Sequence, residues 1–168
     1  MNFSFDRLKL DEDLLNNLQT LGYQSMTPIQ KSSLPPVLKG ADVIAQAKTG
    51  SGKTAAFGLG LLQKLEVKRY RVQSLVLCPT RELDDQVARE LRRLARARHN
   101  VKILTLCGGM PFGPQVGSLE HGAHIVAGTP GRIEEHLRKR TRRTGELNTL
   151  GLDEADRMLD MGFQDSLD

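Results

Sequence analysis

Eight consecutive residues, Ala47-Lys48-Thr49-Gly50-Ser51-Gly52-Lys53-Thr54, constrain this chain more than any other segment. They lie between a short apolar run, Val43 to Ala47, and a stretch of helical periodicity, Lys53 to Leu65. Glycines let the backbone curl until successive N–H groups face one point, and the start of a helix adds partial positive charge there. Such a loop holds a phosphate chain. Lys53 would reach the β- and γ-phosphates, and the Thr54 hydroxyl would ligate Mg²⁺. Ala47 stands where the general pattern has Gly, so the match is imperfect. The bland alternative is a glycine-rich turn that merely caps a helix, and the strand-loop-helix context weighs against it.

The remaining pattern embeds that loop in a sheet. Apolar runs predict strands at about Val43 to Ala47, Ser74 to Cys78, Val101 to Leu106, His124 to Ala127 and Leu147 to Leu152. Helical patterns lie between them at about Lys53 to Leu65, Arg81 to Ala97 and Arg132 to Arg138. The alternation predicts an α/β fold, a mainly parallel sheet covered by helices on both faces, with ligands at the carboxyl ends of the strands. Upstream, Asp11 can cap a helix whose Leu14, Leu15, Leu18 and Leu21 share a face and whose end is Gly22. A second helix starts at Thr27-Pro28 and is expected to stop near Pro35-Pro36.

At 168 residues and 39% hydrophobic, the chain is one domain's worth of material. Its net charge of +4 tilts it mildly towards polyanions. The first residues lack the basic head and apolar run of a signal peptide, and no apolar stretch has membrane-spanning length, so a soluble cytoplasmic protein is expected. Cys78 and Cys107 each end an apolar run without metal-ligand companions, and read as buried free thiols.

Asp153-Glu154-Ala155-Asp156 closes the fifth predicted strand. A carboxylate at a strand mouth can anchor a phosphate-bound Mg²⁺ through water, which suits Asp153, and Glu154 can polarise an attacking water. An acidic helix start would explain the same residues without chemistry. Between the two motifs, Leu83, Val87, Leu91 and Leu94 share one helix face while Arg89, Arg92, Arg93 and Arg96 share another. That basic stripe and the run Lys139-Arg140-Thr141-Arg142-Arg143 read as solvated surface. Guanine-nucleotide hydrolases use the same phosphate loop, but neither N-K-x-D nor D-x-x-G occurs here.

Taken together, these residues resemble the DEAD-box ATP-dependent RNA helicases, and the likeness covers nearly the whole chain. The stretches QAKTGSGKTAAFGLGLLQKL, LVLCPTREL and KILTLCGG look most like a bacterial member stimulated by ribosomal RNA, which implies a part in ribosome biogenesis. The resemblance implies a RecA-like phosphate-loop domain over residues 37–168, preceded over 1–36 by an adenine-recognition segment. ATP and Mg²⁺ would be the cofactors. Lys48 to Thr54 would hold phosphates, with Lys53, Asp153 and Glu154 catalytic, and Thr54 and Asp153 serving the metal. In Gly22 to Gln30, the Gln30 amide would read adenine beside Tyr23 and Thr27, and Phe5 would stack on the base. Thr27-x-x-Gln30 is equally a capping box, and both roles can hold at one helix start.

The family's RNA-contacting segments match at Pro79-Thr80-Arg81, Gly108-Gly109 and Thr129-Pro130-Gly131-Arg132. Each follows a predicted strand, so all three should gather at one sheet edge. Helix-start N–H groups and Thr hydroxyls would hold successive phosphates, and Arg81 and Arg132 would add charge. Binding should then be largely independent of sequence. Two departures stand out. Gly128 and Gly151 stand where apolar or small strand residues are expected, which makes the strand Leu147 to Leu152 a soft point, and the chain reaches Asp168 before the Ser-Ala-Thr motif and the second RecA-like domain of family members. The fold is therefore expected to be truncated after the Asp-Glu-Ala-Asp motif, with a gap beside the phosphate-loop strand, and the isolated chain to be inactive in ATP turnover.

Overall fold

The computed structural model describes residues 4–48, 50–139 and 147–154. The expectations for Thr49, for Arg140 to Arg143 and for a helix near Ala155 lie outside the described residues. The chain divides into two compact units, Met1–Leu65 with Glu90–Asn100, and Glu66–Arg89 with Val101–Asp168.

In the first unit a 3-10 turn at Phe5–Arg7 precedes α1 (Glu12–Thr20), α2 (Pro28–Leu38) and α3 (Lys53–Lys64). Leu14 and Leu18 of α1 are buried as the spacing requires, and Gly22 takes a left-handed φ of 85° just past the helix end. Helix α2 runs through Pro35 and Pro36 to Leu38 and does not stop at them. Two prolines near a C-terminus remove two donors but leave the preceding turns intact, and the Ser33 hydroxyl supplies a local bond to the Ile29 carbonyl. Helices α2 and α3 pack closely, since a Cβ on Gly60 would lie 2.3 Å from Val37 Cγ1.

Arg98 ties this unit together. Its guanidinium is bonded to Asp13 at 2.7 Å, to Asp11 at 2.6 Å and to the Leu62 carbonyl, with only 9% of the side chain exposed. The hydrogen bond to Asp13 holds that carboxyl below its ordinary value of 3.8. The pairing therefore stabilises the fold above that pH and fades as pH falls through the lowered value. Replacing Arg98 by methionine keeps the packed stem and strands its partners, so unfolding in urea should show a loss of about 2 kcal/mol at neutral pH and a smaller one in acid. Equal losses at both pH values would rule out the ion-pair contribution.

The second unit holds a four-stranded parallel sheet ordered β2-β3-β1-β4, with β1 Ser74–Leu77, β2 Ile103–Leu106, β3 Ile125–Gly128 and β4 Thr149–Leu152. Helix α4 spans Arg81–Leu94, α5 Phe112–Glu120 and α6 Pro130–Arg138. Leu75 and Leu77, two apart and so on one face, join Leu106, Val126 and Ile133 in a common core. At the amino end of β3, buried His124 accepts from the Lys102 N–H at Nδ1 and faces the Val67 carbonyl with Nε2.

One expected strand is missing. Val43 to Ala47 forms no strand; residues 41–48 are irregular and Ile44 is fully exposed. A strand needs a ladder partner, and among the described residues nothing pairs with this run. Helix α5, by contrast, was not foreseen. Among the described residues no helix is long and apolar enough to cross a membrane.

Candidate functional site

The glycine-rich loop opens α3 as expected. Gly50 and Gly52 carry φ of 83° and 86°, Lys53 is the first helical residue and Thr54 the next. Inside the loop, the Ser51 N–H and hydroxyl both turn to the Lys48 carbonyl. Gln30 is buried behind this loop, with 1% exposure. Its Oε1 accepts from the Thr27 N–H at 2.9 Å, the reciprocal half of the foreseen capping box, and its Nε2 donates to the Gly52 carbonyl at 3.0 Å. A Cβ on Gly52 would fall 2.4 Å from that Nε2. The amide expected to face adenine thus braces the phosphate loop here.

Thr27 Oγ1 is buried without a hydrogen-bond partner among the described residues, at the edge of an open cleft of about 470 Å³. Thr27, Pro28, Ile29, Ser32, Gln46, Ala47 and Ser51 line it. An orphaned hydroxyl and an apolar floor beside a phosphate-type loop fit a nucleotide base. Phe5 does not stand open to a base. It is 4% exposed and meets Tyr23 edge-on at 6.1 Å, because the 3-10 turn folds it into the core of the first unit. Tyr23 donates its hydroxyl proton to Glu90, and burial first, then that carboxylate, push its pKa up to about 12.

In the second unit, parallel register aligns Leu77 with Gly128 and Leu152, and Leu106 with Gly128. The strands therefore end level. Pro79-Thr80-Arg81, Gly108-Gly109, Thr129-Pro130 and Asp153-Glu154 all leave from one edge. Thr80 caps α4 by accepting from the Leu83 N–H at 3.3 Å. Thr129, in the same position on α6, makes no cap; its hydroxyl accepts from the Gly108 N–H at 3.1 Å and joins two of the segments.

The two arginines expected to add charge differ. Arg81 is 59% exposed and only 4.0 Å from Asp85, which leaves it accessible. Arg132 is 13% exposed, with Nη1 on the Met110 carbonyl and Gln115 and Nε on Glu135. It serves as an internal brace, with its charge paired to Glu135 at 3.2 Å rather than standing open at the edge. Asp153 is buried with its N–H on the Leu77 carbonyl, and Glu154 follows in the left-handed region at φ 57°. Strained backbone of this kind gathers at functional turns.

Below the same edge lie both cysteines as free thiols, each pushed up by burial and by Asp84, to whose Oδ2 Cys107 donates at 2.7 Å. They are inert packing. Sequence reading missed Gln115 and His136, both buried and hydrogen-bonded to each other at 2.8 Å. Neither sits in a recognisable motif.

A phosphate-type loop opening a helix and a level edge of a parallel sheet define a RecA-like nucleotide-binding fold. The family model for the DEAD/DEAH box helicases matches residues 27–168, and the chain belongs to that family. It is 64% identical over 154 residues to the ATP-dependent RNA helicase DbpA of Escherichia coli (strain K12), covering 92% of this chain and 34% of that protein. A crystal structure of a DEAD box protein from the hyperthermophile Methanococcus jannaschii superposes with a TM-score of 0.92 at 38% identity, covering 98% of this chain and 45% of that one. The chain thus spans about a third of the length of the curated relative.

Proposed function

We propose that this chain is the ATP- and RNA-holding half of an ATP-dependent RNA helicase. The observation that carries this reading is the level edge of the parallel sheet, where Thr129 Oγ1 and the Gly108 N–H join two of the three segments. Arg81 offers an exposed cation at that edge, and helix starts add their N–H groups. RNA would be gripped by its phosphates, with little regard to sequence.

In the other unit, residues 1–36 act as the adenine-recognition segment, and residues from 37 onward begin the ATP-binding domain. Lys48 to Thr54 take the phosphates. The Thr54 hydroxyl and the Asp153 carboxylate are hard oxygen donors that suit Mg²⁺, Asp153 through water, and Glu154 orients the attacking water. When bound, the ion neutralises phosphate charge. A base entering the cleft would meet Thr27 Oγ1 and, with one turn of its amide, Gln30. A second RecA-like domain completes the helicase in the whole protein, which works in the cytoplasm on ribosome assembly.

Binding without turnover is a second reading, favoured by the irregular backbone of residues 41–48, which leaves one arm of the phosphate loop outside the strand ladders of the described residues. Phosphate release in the presence of RNA separates the two readings. The proposal itself is tested by titration with fluorescent ADP and GDP. ADP should bind at least about tenfold more tightly, since losing one good hydrogen-bonded base contact is worth about 1.4 kcal/mol. Equal affinities would remove the adenine assignment.

A further inference from the structure

We propose that Gln115 and His136 are positioning residues for RNA, which set the shape of the Gly108-Gly109 loop without touching the strand. The inference rests on reading that loop as a phosphate holder. The loop leaves β2 after Leu106 and turns at Gly109, whose φ is 81°. It is held at three points. Gln115 Nε2 donates to the Cys107 carbonyl at 3.2 Å, the Gly108 N–H donates to Thr129 Oγ1 at 3.1 Å, and Arg132 Nη1 donates to the Met110 carbonyl at 2.8 Å. The Cys107–Gly108 peptide is therefore fixed at both its oxygen and its nitrogen. With Met110 fixed as well, the intervening N–H groups of Gly109 and Met110 keep one orientation.

That clamp depends on which way the Gln115 amide points. Its Oε1 accepts from two donors, Arg132 Nη1 at 3.1 Å and His136 Nε2 at 2.8 Å. An amide held there cannot exchange its oxygen and nitrogen, so Nε2 must face Cys107. The His136 ring is itself oriented by Phe112, stacked at 4.2 Å with 16° between planes. Lys139 Nζ lies 4.4 Å from the centre of the Phe112 ring and Arg132 5.6 Å from it. Orientation thus passes from Phe112 to His136 to Gln115 to the loop.

A purely structural account explains this arrangement poorly. Gln115 is 8% exposed and His136 fully buried, and an apolar pair of like volume would fill the space without a polar network. What the network adds is the placement of two carbonyls on either side of Gly108-Gly109. No local spacing links residues 107, 110, 115, 132 and 136, which is why the sequence conceals the link.

The test is binding of a fluorescein-labelled oligouridylate to the wild-type chain and its variants across a range of salt. Gln115→Leu and His136→Leu should each weaken binding about tenfold, and lower the slope of log K against log salt by about 0.7 for each phosphate that the loop no longer holds. His136→Gln, which can set its own Nε2 where the ring donor stood, should keep the wild-type slope. Arg81→Ala reports separately on the edge as an RNA site. If Arg81→Ala weakens binding while both leucine variants bind with wild-type affinity and slope, the positioning role is wrong and the RNA site stands. If neither Arg81→Ala nor the leucine variants alter binding, the RNA site and the positioning role fall together. A leucine variant with fewer competent molecules but an unchanged slope is merely unfolded in part, and that result also overturns the proposal.

Discussion

Lys53→Ala should reduce ADP affinity by about 30- to 100-fold, the loss of one or two charge-assisted hydrogen bonds to phosphate. Lys53 begins α3, where the helix macrodipole opposes a positive side chain by about 0.3–1 kcal/mol. Helix energetics alone therefore give no reason for a lysine at this position, whereas a phosphate chain would. Alanine is also a better helix former, so thermal unfolding of the variant should shift little. Titration with fluorescent ADP reads the first effect and a melting curve the second. An unchanged affinity would sink the phosphate-loop assignment, and a collapsed melting temperature would mean that the lysine is structural.

Gly128→Ala should be the most damaging single methyl group added to the sheet. The new Cβ would lie 2.6 Å from the Leu106 carbonyl oxygen and 2.6 Å from Ile133 Cδ1. Ile133 can rotate, but the carbonyl is backbone and also accepts the Thr129 N–H at 3.1 Å. Relief would have to part β2 from β3 and weaken that bond. Overpacking costs about 1–3 kcal/mol and a strained hydrogen bond about 1 more, together about 6–12 °C in melting temperature for a chain of this size. Gly151→Ala is the control, because its nearest non-local atom is 3.6 Å away and the change should be neutral or slightly stabilising. If both variants melt together with the wild type, the close approach at Gly128 is absent in solution.

That contrast also shows where sequence reading reaches its limit. Gly128 and Gly151 both stand where a larger strand residue was expected, yet only Gly128 is required by its neighbours, and the one that cannot move, the Leu106 carbonyl, is distant in sequence. Strands β1 to β4 and helices α3, α4 and α6 were legible because apolar spacing reports directly on which face is covered. Helix α5 was not, because Gly113, Pro114 and Gly117 interrupt its apolar spacing; Pro114 sits in the first turn, where its missing N–H has no helical acceptor anyway. The failure at Val43 to Ala47 is of the opposite kind, since an apolar run names a strand only if a partner strand adjoins it. At the candidate site, the motifs put their segments at one edge of the sheet because each follows a strand and the strands run parallel. They did not show that Arg132 turns inward, that Phe5 is covered by Tyr23, or that Gln30 spends its amide on Gly52. Those outcomes depend on which polar atoms happen to meet once the backbone is placed.

Parallel pairing has a consequence for how the second unit comes into being. No two of its described strands are joined by a hairpin, so β1 forms none of the described ladders until Ser74 finds Ile125, and its pairing with β4 waits for Thr149. Each closure costs loop entropy before any pairing returns it, which makes the search slow. During that search β1, whose four residues are all buried in the finished sheet, stays open to other chains. On a ribosome the delay is longer still, since β4 emerges after every partner it needs. The half-exposed leucines of β4, Leu150 and Leu152, then lie on the outer strand of the described sheet. Refolding yield should accordingly fall with protein concentration more steeply than for a helical chain of the same length, whose interactions are mostly local.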